Sequence, residues 1–257
     1  MLTSLQNPLV KQLRKLHQTK ERRQQQLFLL EGTHVLDAAL KVDRPLVTLC
    51  HTLAWQTKYP LLHEQAQQAA QRVELVSADV LRAIATTVEP DGVVATVERV
   101  STPVPSFSSL GLVLETIQDP GNLGTMIRTA AAAGADGLLL SADSVDFDHP
   151  KVLRASAGQW FQFPMAASSD LKADLNHYQR QGMQIIATRP KATLTYWQVD
   201  LRSPTLLLMG NEGAGLSPEL AAIADQHVAI PLSPGVESLN VAIAAALMLY
   251  EAKRQRG

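Results

Sequence analysis

One cysteine, Cys50, stands in 257 residues, so no intrachain disulfide can form, which fits a reducing, cytoplasmic setting. Net charge is also nearly absent. The formal value is −1, so the chain as a whole projects no cationic field, and any contact with nucleic acid must be local. No apolar run approaches the roughly 20 residues that span a bilayer, which argues against a membrane protein. The opening MLTSLQNPLVKQL lacks the continuous apolar core of a secretory signal. The seven histidines are scattered, with no Cys or His partner at ligand spacing, so no metal site is expected. What remains is an ordinary globular composition, 46% hydrophobic and 18% charged, long enough for one large domain or two modest ones.

The basic residues that are present gather early. Lys11, Arg14, Lys15, Lys20, Arg22 and Arg23 face only Glu21, while Leu5, Leu9, Leu13 and Leu16 recur at helical spacing. This reads as one amphipathic helix with a cationic outer face, a solvated surface or an RNA-backbone contact through Lys11, Arg14, Lys15, Arg22 and Arg23. Short apolar strands at Leu27–Glu31, Leu46–Cys50, Val73–Val76 and Gly92–Val97 then alternate with helices at Val35–Leu40 and His63–Arg72. That pattern predicts a small α/β domain over residues 1–100. The Pro/Ser-rich stretch Ser101–Ser109 reads as a linker.

Residues 110–257 alternate again. Strands are expected at Gly111–Glu115, Gly137–Leu140, Gln184–Ala187, Thr205–Met209 and Val228–Pro231. Helices are expected at Leu123–Ala133, closed by Gly134, at Pro150–Ala157 and Pro218–Ala224, and from about Ser238 to the end. Such alternation predicts a parallel sheet with helices on both faces.

Three loops in this second part could carry chemistry. Asn122 opens a helix and reads first as its N-cap. Arg128, set among MIRTAAAAG, should need a partner, and its planar charge suits a phosphate or carboxylate. The run Gly210–Gly215 (GNEGAG) is neither a Walker loop nor a dinucleotide fingerprint, and Glu212 would repel a pyrophosphate. That carboxylate suits a ligand with hydroxyls, an amine or a positive centre, or it caps the helix near Ser217. Ser238 or Asn240 could cap the last helix, whose alanines allow close packing.

Together these loops spell N-x-G-x-x-x-R, G-x-E-x-x-G-L and I-P-L-x(5)-S-L-N, in that order. The set resembles the three signature motifs of the SpoU (TrmH-type) RNA 2′-O-ribose methyltransferases of the SPOUT superfamily. FLLEGTHVLDAAL and EPDGVVATV resemble, less specifically, that family's substrate-binding domain, which is similar to a small ribosomal protein. The resemblance implies an α/β fold in which a small RNA-binding domain precedes a parallel-sheet SPOUT domain with a trefoil knot. It implies a homodimer that transfers a methyl group from S-adenosyl-L-methionine to a ribose 2′-hydroxyl of structured RNA. Ribosomal RNA is favoured, with transfer RNA or a catalytically inert RNA-binding member as alternatives.

By the same resemblance, Arg128, Asn122, Glu212, Ser238 and Asn240 are the catalytic positions. Cofactor contacts fall at Thr188, Met209, Gly210, Ile230, Leu232 and Leu239. A rival of another class, a nucleotide-dependent α/β enzyme unconnected with RNA, is disfavoured by the basic N-terminal helix. A guanidinium with a pKa above about 12 is a poor base, so Arg128 is better read as a clamp on the target phosphate.

Overall fold

The computed structural model describes residues 1–100 and 103–257, which divide into two units. The first comprises residues 1–101 together with 146–162, and the second residues 102–145 and 163–257.

In the first unit, strands β1 (Leu27–Glu31), β2 (Leu46–His51), β3 (Ala70–Leu75) and β4 (Val93–Glu98) form one sheet in the order β1-β4-β2-β3. Only β2 and β3 run parallel. The two-residue period of a strand sends alternate side chains to opposite faces. Accordingly Phe28, Leu30, Val93 and Ala95 join one core, while Leu29, Cys50 and Val94 join another. The second core is covered by α1 (Pro8–Lys15) through Leu9, Val10 and Leu13 and by α6 (Ala78–Ile84). The first is covered by α3 (Thr33–Leu40), α4 (Leu53–Lys58), α5 (Pro60–Ala69) and the inserted α8 (Pro150–Ala155).

The long basic helix expected at the N-terminus is in fact two. α1 ends at Lys15, and α2 (Thr19–Gln25) starts after a turn at Leu16–Gln18. The turn has a cause. Arg22 is fully buried, and its guanidinium donates to the carbonyls of Leu16 and His17 at 3.0 Å, to Thr19 Oγ1 at 2.9 Å and to Asp146 at 3.1 Å. Arg22 is therefore no RNA contact; burying its charge requires these partners. Lys11, Arg14, Lys15 and Arg23 remain exposed.

The same ion pair explains why residues 146–162 leave the second domain expected from the sequence. Arg99 also pairs with Asp146 and with Asp148, and Arg154 pairs with the buried Glu31. Trp160 stacks on Phe28 at 5.1 Å between centroids.

The second unit holds a seven-stranded sheet in which every pairing is parallel. Its strands are β5 (Leu110–Leu114), β6 (Gly137–Ser141), β7 (Met165–Ser168), β8 (Gln184–Thr188), β9 (Leu194–Thr195), β10 (Thr205–Met209) and β11 (Gln226–Ala229). The order is β7-β6-β5-β10-β8-β11-β9. LGLVL and TLLLM at the centre are buried throughout, as strands covered on both faces must be. Helices α7 (Pro120–Ala133), α9 (Leu171–Arg180), α10 (Pro218–Ala221) and α11 (Val241–Arg256) complete it.

β7, β9 and α9 were not anticipated. β11 also ends before Ile230, which places Ile230 and Pro231 in the following loop. Of the expected linker, Ser101 and Thr102 lie outside the described residues. Residues 103–109 belong to the second unit, where Phe107 is buried and Pro105 O accepts from the Tyr178 hydroxyl at 2.6 Å.

Truncating Arg22 leaves the buried Asp146 with Arg99 as its remaining ion-pair partner and removes the donor to two carbonyls. Arg22→Ala should therefore destabilise the first unit by about 3–5 kcal/mol in chemical denaturation. Lys15→Ala, on the exposed face, should stay within about 0.5 kcal/mol of the parent. Equal midpoints for the two variants would refute the buried-pair account.

Candidate active site

The parallel register aligns the carboxyl ends of the central strands. Leu114 of β5 lies opposite Met209 of β10, and Leu208 lies opposite Ala187 of β8. Their exit loops therefore emerge at one edge, where open α/β sheets bind ligands. Residues 115–119 leave β5, 210–216 leave β10, and 230–240 follow β11. Together with the start of α7 they border an open cleft of about 820 Å³, lined by Gln118, Asn122, Glu212, Ser238, Leu239 and Asn240 among others.

At its centre Glu212 Oε1 accepts from Asp119 N at 3.2 Å and Asn122 Nδ2 at 3.1 Å. Oε2 accepts from Gln118 N at 3.3 Å. Asn122 Oδ1 in turn accepts from Asn240 Nδ2 at 2.9 Å. Asn240 Oδ1 accepts from Ala242 N at 2.9 Å and Ile243 N at 3.3 Å, capping α11. Partial burial raises the Glu212 carboxyl, but the donors from Asn122 and the backbone outweigh it and hold the pKa below the usual carboxylate range. A depressed folded pKa means this anchoring is complete above the unfolded value and is lost only as pH falls through the folded one. Near neutrality the group does not titrate.

Asn122 is not the cap of its helix. Asp119 is, accepting from Asn122 N at 2.9 Å, with Pro120 in the first turn. That frees the Asn122 amide to join Glu212 to Asn240. The Asp-Pro pair was the available signal, since a capping acid before proline marks a helix start. Nor does Glu212 cap α10; Ser217 does, accepting from Leu220 N at 3.2 Å. Asn211, not singled out from sequence, folds the loop. Its Oδ1 accepts from Gly213 N and Ala214 N at 2.9 Å each, and its Nδ2 donates to Thr116 O at 2.8 Å. Gly210 is required by sterics, because a Cβ there would lie 2.3 Å from the backbone of Gly215 and Leu216.

Thr116 has a left-handed backbone, φ 53°, which a β-branched residue adopts only under constraint. The constraint is visible. Thr116 N donates to Ser141 Oγ at 2.7 Å, and Thr116 Oγ1 donates to Asp143 Oδ2 at 2.8 Å. Val145 N also donates to Ile117 O at 2.7 Å. This turn aims the Gln118 and Asp119 amides at Glu212.

The other expected positions are less closely joined. Thr188 Oγ1 contacts Met209 Sδ at 3.2 Å, and Met209 and Gly210 are buried. Ile230 and Leu232 are half-buried, beyond the end of β11 and so outside the sheet ladder. Ser238 and Leu239 are exposed at the cleft wall. Arg128 is not brought to the cleft. It stands exposed on α7 with no side-chain partner among the described residues, contrary to the expectation that it would need one. Lys11, Arg14, Lys15 and Arg23 lie in the other unit.

A parallel sheet with this three-loop cleft is the architecture of a methyltransferase family, and the comparisons agree. Residues 109–250 match the SpoU rRNA methylase family model, and residues 7–95 match an MRM3-like substrate-binding domain. An uncharacterized tRNA/rRNA methyltransferase of Synechocystis is 50% identical over 99% of this chain and 94% of its own length. The 23S rRNA (guanosine(2553)-2′-O)-methyltransferase RlmP of Bacillus subtilis is 32% identical over 97% of each. Among solved structures, an AdoMet-bound rRNA methyltransferase from Sinorhizobium meliloti superposes with a TM-score of 0.85. It shares 35% identity and covers 98% of this chain and 97% of that one. The chain belongs to the SpoU methyltransferase family.

Each Glu212 oxygen faces donors, so an amide at this position sets N–H against N–H whichever way it turns. Glu212→Gln should lower methyl transfer as far as Glu212→Ala does, about tenfold on the loss of a hydrogen bond to a charged acceptor, measured as kcat/KM. A fully active Glu212→Gln would show that charge and acceptor geometry are dispensable there. For Thr116, glycine relieves the left-handed backbone while losing one hydrogen bond, so Thr116→Gly should be nearly neutral in stability. Thr116→Val keeps the strain and loses the bond, and should cost about 1–2 kcal/mol by urea unfolding. The reverse order would contradict the strain argument.

Proposed function

We propose that this chain transfers a methyl group from S-adenosyl-L-methionine to a ribose 2′-hydroxyl of structured RNA, with ribosomal RNA as substrate. The observation that carries this reading is the Glu212–Asn122–Asn240 chain, which joins all three family motifs in one cleft at the carboxyl edge of the sheet. Named relatives that methylate 23S rRNA guanosines at the 2′-oxygen support the choice of substrate.

The residues present fit the cofactor. It carries a sulfonium, an adenine and hydroxyls but no phosphate, and the cleft offers an ionised carboxylate and no cation among its lining residues. Thr188, Met209, Gly210, Ile230, Leu232 and Leu239 would hold it through apolar contact and backbone groups. When bound it supplies an electrophilic methyl carbon. Glu212 and Asn122 keep the loop after β10 and the first turn of α7 in place, and Asn240 and Ser238 present polar groups to the incoming ribose. Arg128 grips the phosphate beside the target nucleotide, a task suited to an unpaired, permanently charged guanidinium. The attacking 2′-hydroxyl loses its proton to that phosphate or to solvent. Lys11, Arg14, Lys15 and Arg23 supply backbone contacts from the first unit.

The reading extends to assembly. Exposed apolar side chains on and just before α11 (Leu239 at 38%, Ile243 at 51% and Tyr250 at 50%) support a homodimer through this helix. Such a pairing would bring a second chain towards Arg128. Membership of the family carries with it a trefoil knot in this unit, with the terminal helix threaded behind the loop that holds Glu212. A cytoplasmic location accords with an RNA substrate.

The test is transfer of labelled methyl from S-adenosyl-L-methionine to total RNA, followed by alkaline and nuclease mapping. Label in an alkali-resistant dinucleotide is expected, and label on a base would overturn the reaction. Arg128→Ala should reduce transfer at least a hundredfold while cofactor affinity changes less than about twofold, since Arg128 acts on the RNA side. Loss of cofactor affinity in that variant would refute this role.

A further inference from the structure

The strand register fixes more of the rim than the three motif loops. Thr188 at the end of β8 lies opposite Val228, and Thr195 at the end of β9 lies opposite Ala229. Since β9, β11 and β8 are parallel, the segments after Thr188 and Thr195 emerge at the same carboxyl edge as the cleft. The first exit carries Arg189 and Lys191; the second carries Trp197.

These three residues are unlike their surroundings. Trp197 is 60% exposed, whereas Trp55 is buried and Trp160 half-buried. It is held rigidly at the tip of a turn. Tyr196 N donates to Ala229 O at 3.0 Å, and Thr195 N and Oγ1 donate to Gln198 Oε1 at 2.7 and 3.0 Å. The buried Tyr196 ring backs the indole at 5.0 Å between centroids. Arg189 and Lys191 are exposed and, with Arg128 and Arg180, are the cations of the second unit whose side chains have no partner among the described residues. By contrast Lys172, Arg202, Lys253, Arg254 and Arg256 are all engaged by carboxylates or carbonyls.

Holding a large aromatic ring in water on a braced turn has no folding benefit, and two unpaired cations beside the same edge attract polyanions. We infer that Arg189, Lys191 and Trp197 form a second RNA-contacting rim, on the methyltransferase unit itself. Trp197 stacks on an unpaired base near the target nucleotide, and the two cations bind adjacent phosphates. The inference rests on the RNA reading above and adds a single-stranded or looped-out segment as the element recognised.

The full chain is tested by equilibrium binding to ribosomal RNA and to a labelled oligouridylate across a salt titration. Trp197→Ala should weaken binding about five- to hundredfold, and Trp197→Phe, which keeps a ring, should recover most of it. Arg189→Gln with Lys191→Gln should flatten the slope of log K against log salt by about 1.4, the value for two phosphates on a single strand. S-adenosyl-L-methionine affinity and sedimentation behaviour should not change. Parent-like RNA binding by both variants would overturn the rim while leaving the enzyme's reaction intact. A Trp197→Ala chain that dissociates into monomers, or that loses the cofactor, would assign the indole to a subunit contact or the cofactor pocket instead. Failure of the parent to bind any RNA would sink the rim and the proposed function together.

Discussion

Two ends of one hydrogen-bond chain decide how the site is built. At one end Asn240 Oδ1 is committed to the first amides of α11, so its Nδ2 must point outward, to Asn122 Oδ1. At the other end Glu212 is ionised and can only accept, so Asn122 must turn its Nδ2 towards it. A helix N-terminus and a carboxylate thus set the direction of both carboxamides between them. Neither amide can flip without placing donor against donor. Segments 90 and 118 residues apart in sequence are joined this way, and of the three contact residues only Asn122 lies within a helix.

The sheet brings these segments within reach, and backbone geometry does the rest. Fully buried central strands fix the register, because slipping by one residue would send every side chain to the opposite face. Their exits therefore coincide. Thr116 then turns the chain sharply through a left-handed conformation, held by Ser141, Asp143 and Asn211. Strain of this kind persists only where the surroundings over-determine it. Here they do so directly upstream of the two amides that meet Glu212.

The strands were legible because their signal is local. LFLLE and TLLLM are apolar runs with breaks on both sides, and their limits agree with the structure to the residue. Gly134 as the left-handed close of α7 was equally local. The three motifs named loops that meet in one cleft, but the division of labour inside them was not readable from spacing. Asn122 looks like a cap until Asp119 is seen to take that task. α9 had a readable stripe in Leu171, Leu175 and Tyr178, all buried, but the polar residues between them obscured it. The exchange of residues 146–162 into the first unit had no local signal at all, since it depends on Asp146 meeting Arg22 across 124 residues of sequence.

The two arginines show why charge pattern alone misleads. Arg22 sits among lysines and glutamines and reads as a solvated cation; Arg128 sits among alanines and reads as one needing a partner. The structure reverses both. Arg22 is enclosed because the turn at Leu16–Gln18 wraps two carbonyls around it and a distant carboxylate completes the shell. Arg128 stays in water because alanines are small, and the side of α7 that carries Thr125 and Arg128 is left uncovered. Neighbours in sequence report composition, whereas solvation depends on what packs against a side chain from elsewhere. A guanidinium fully buried behind two carbonyls, a hydroxyl and a carboxylate cannot reach RNA, however basic its segment. One whose donors are free is equipped to grip a phosphate, and that difference, rather than local charge density, separates a structural arginine from one available to a ligand.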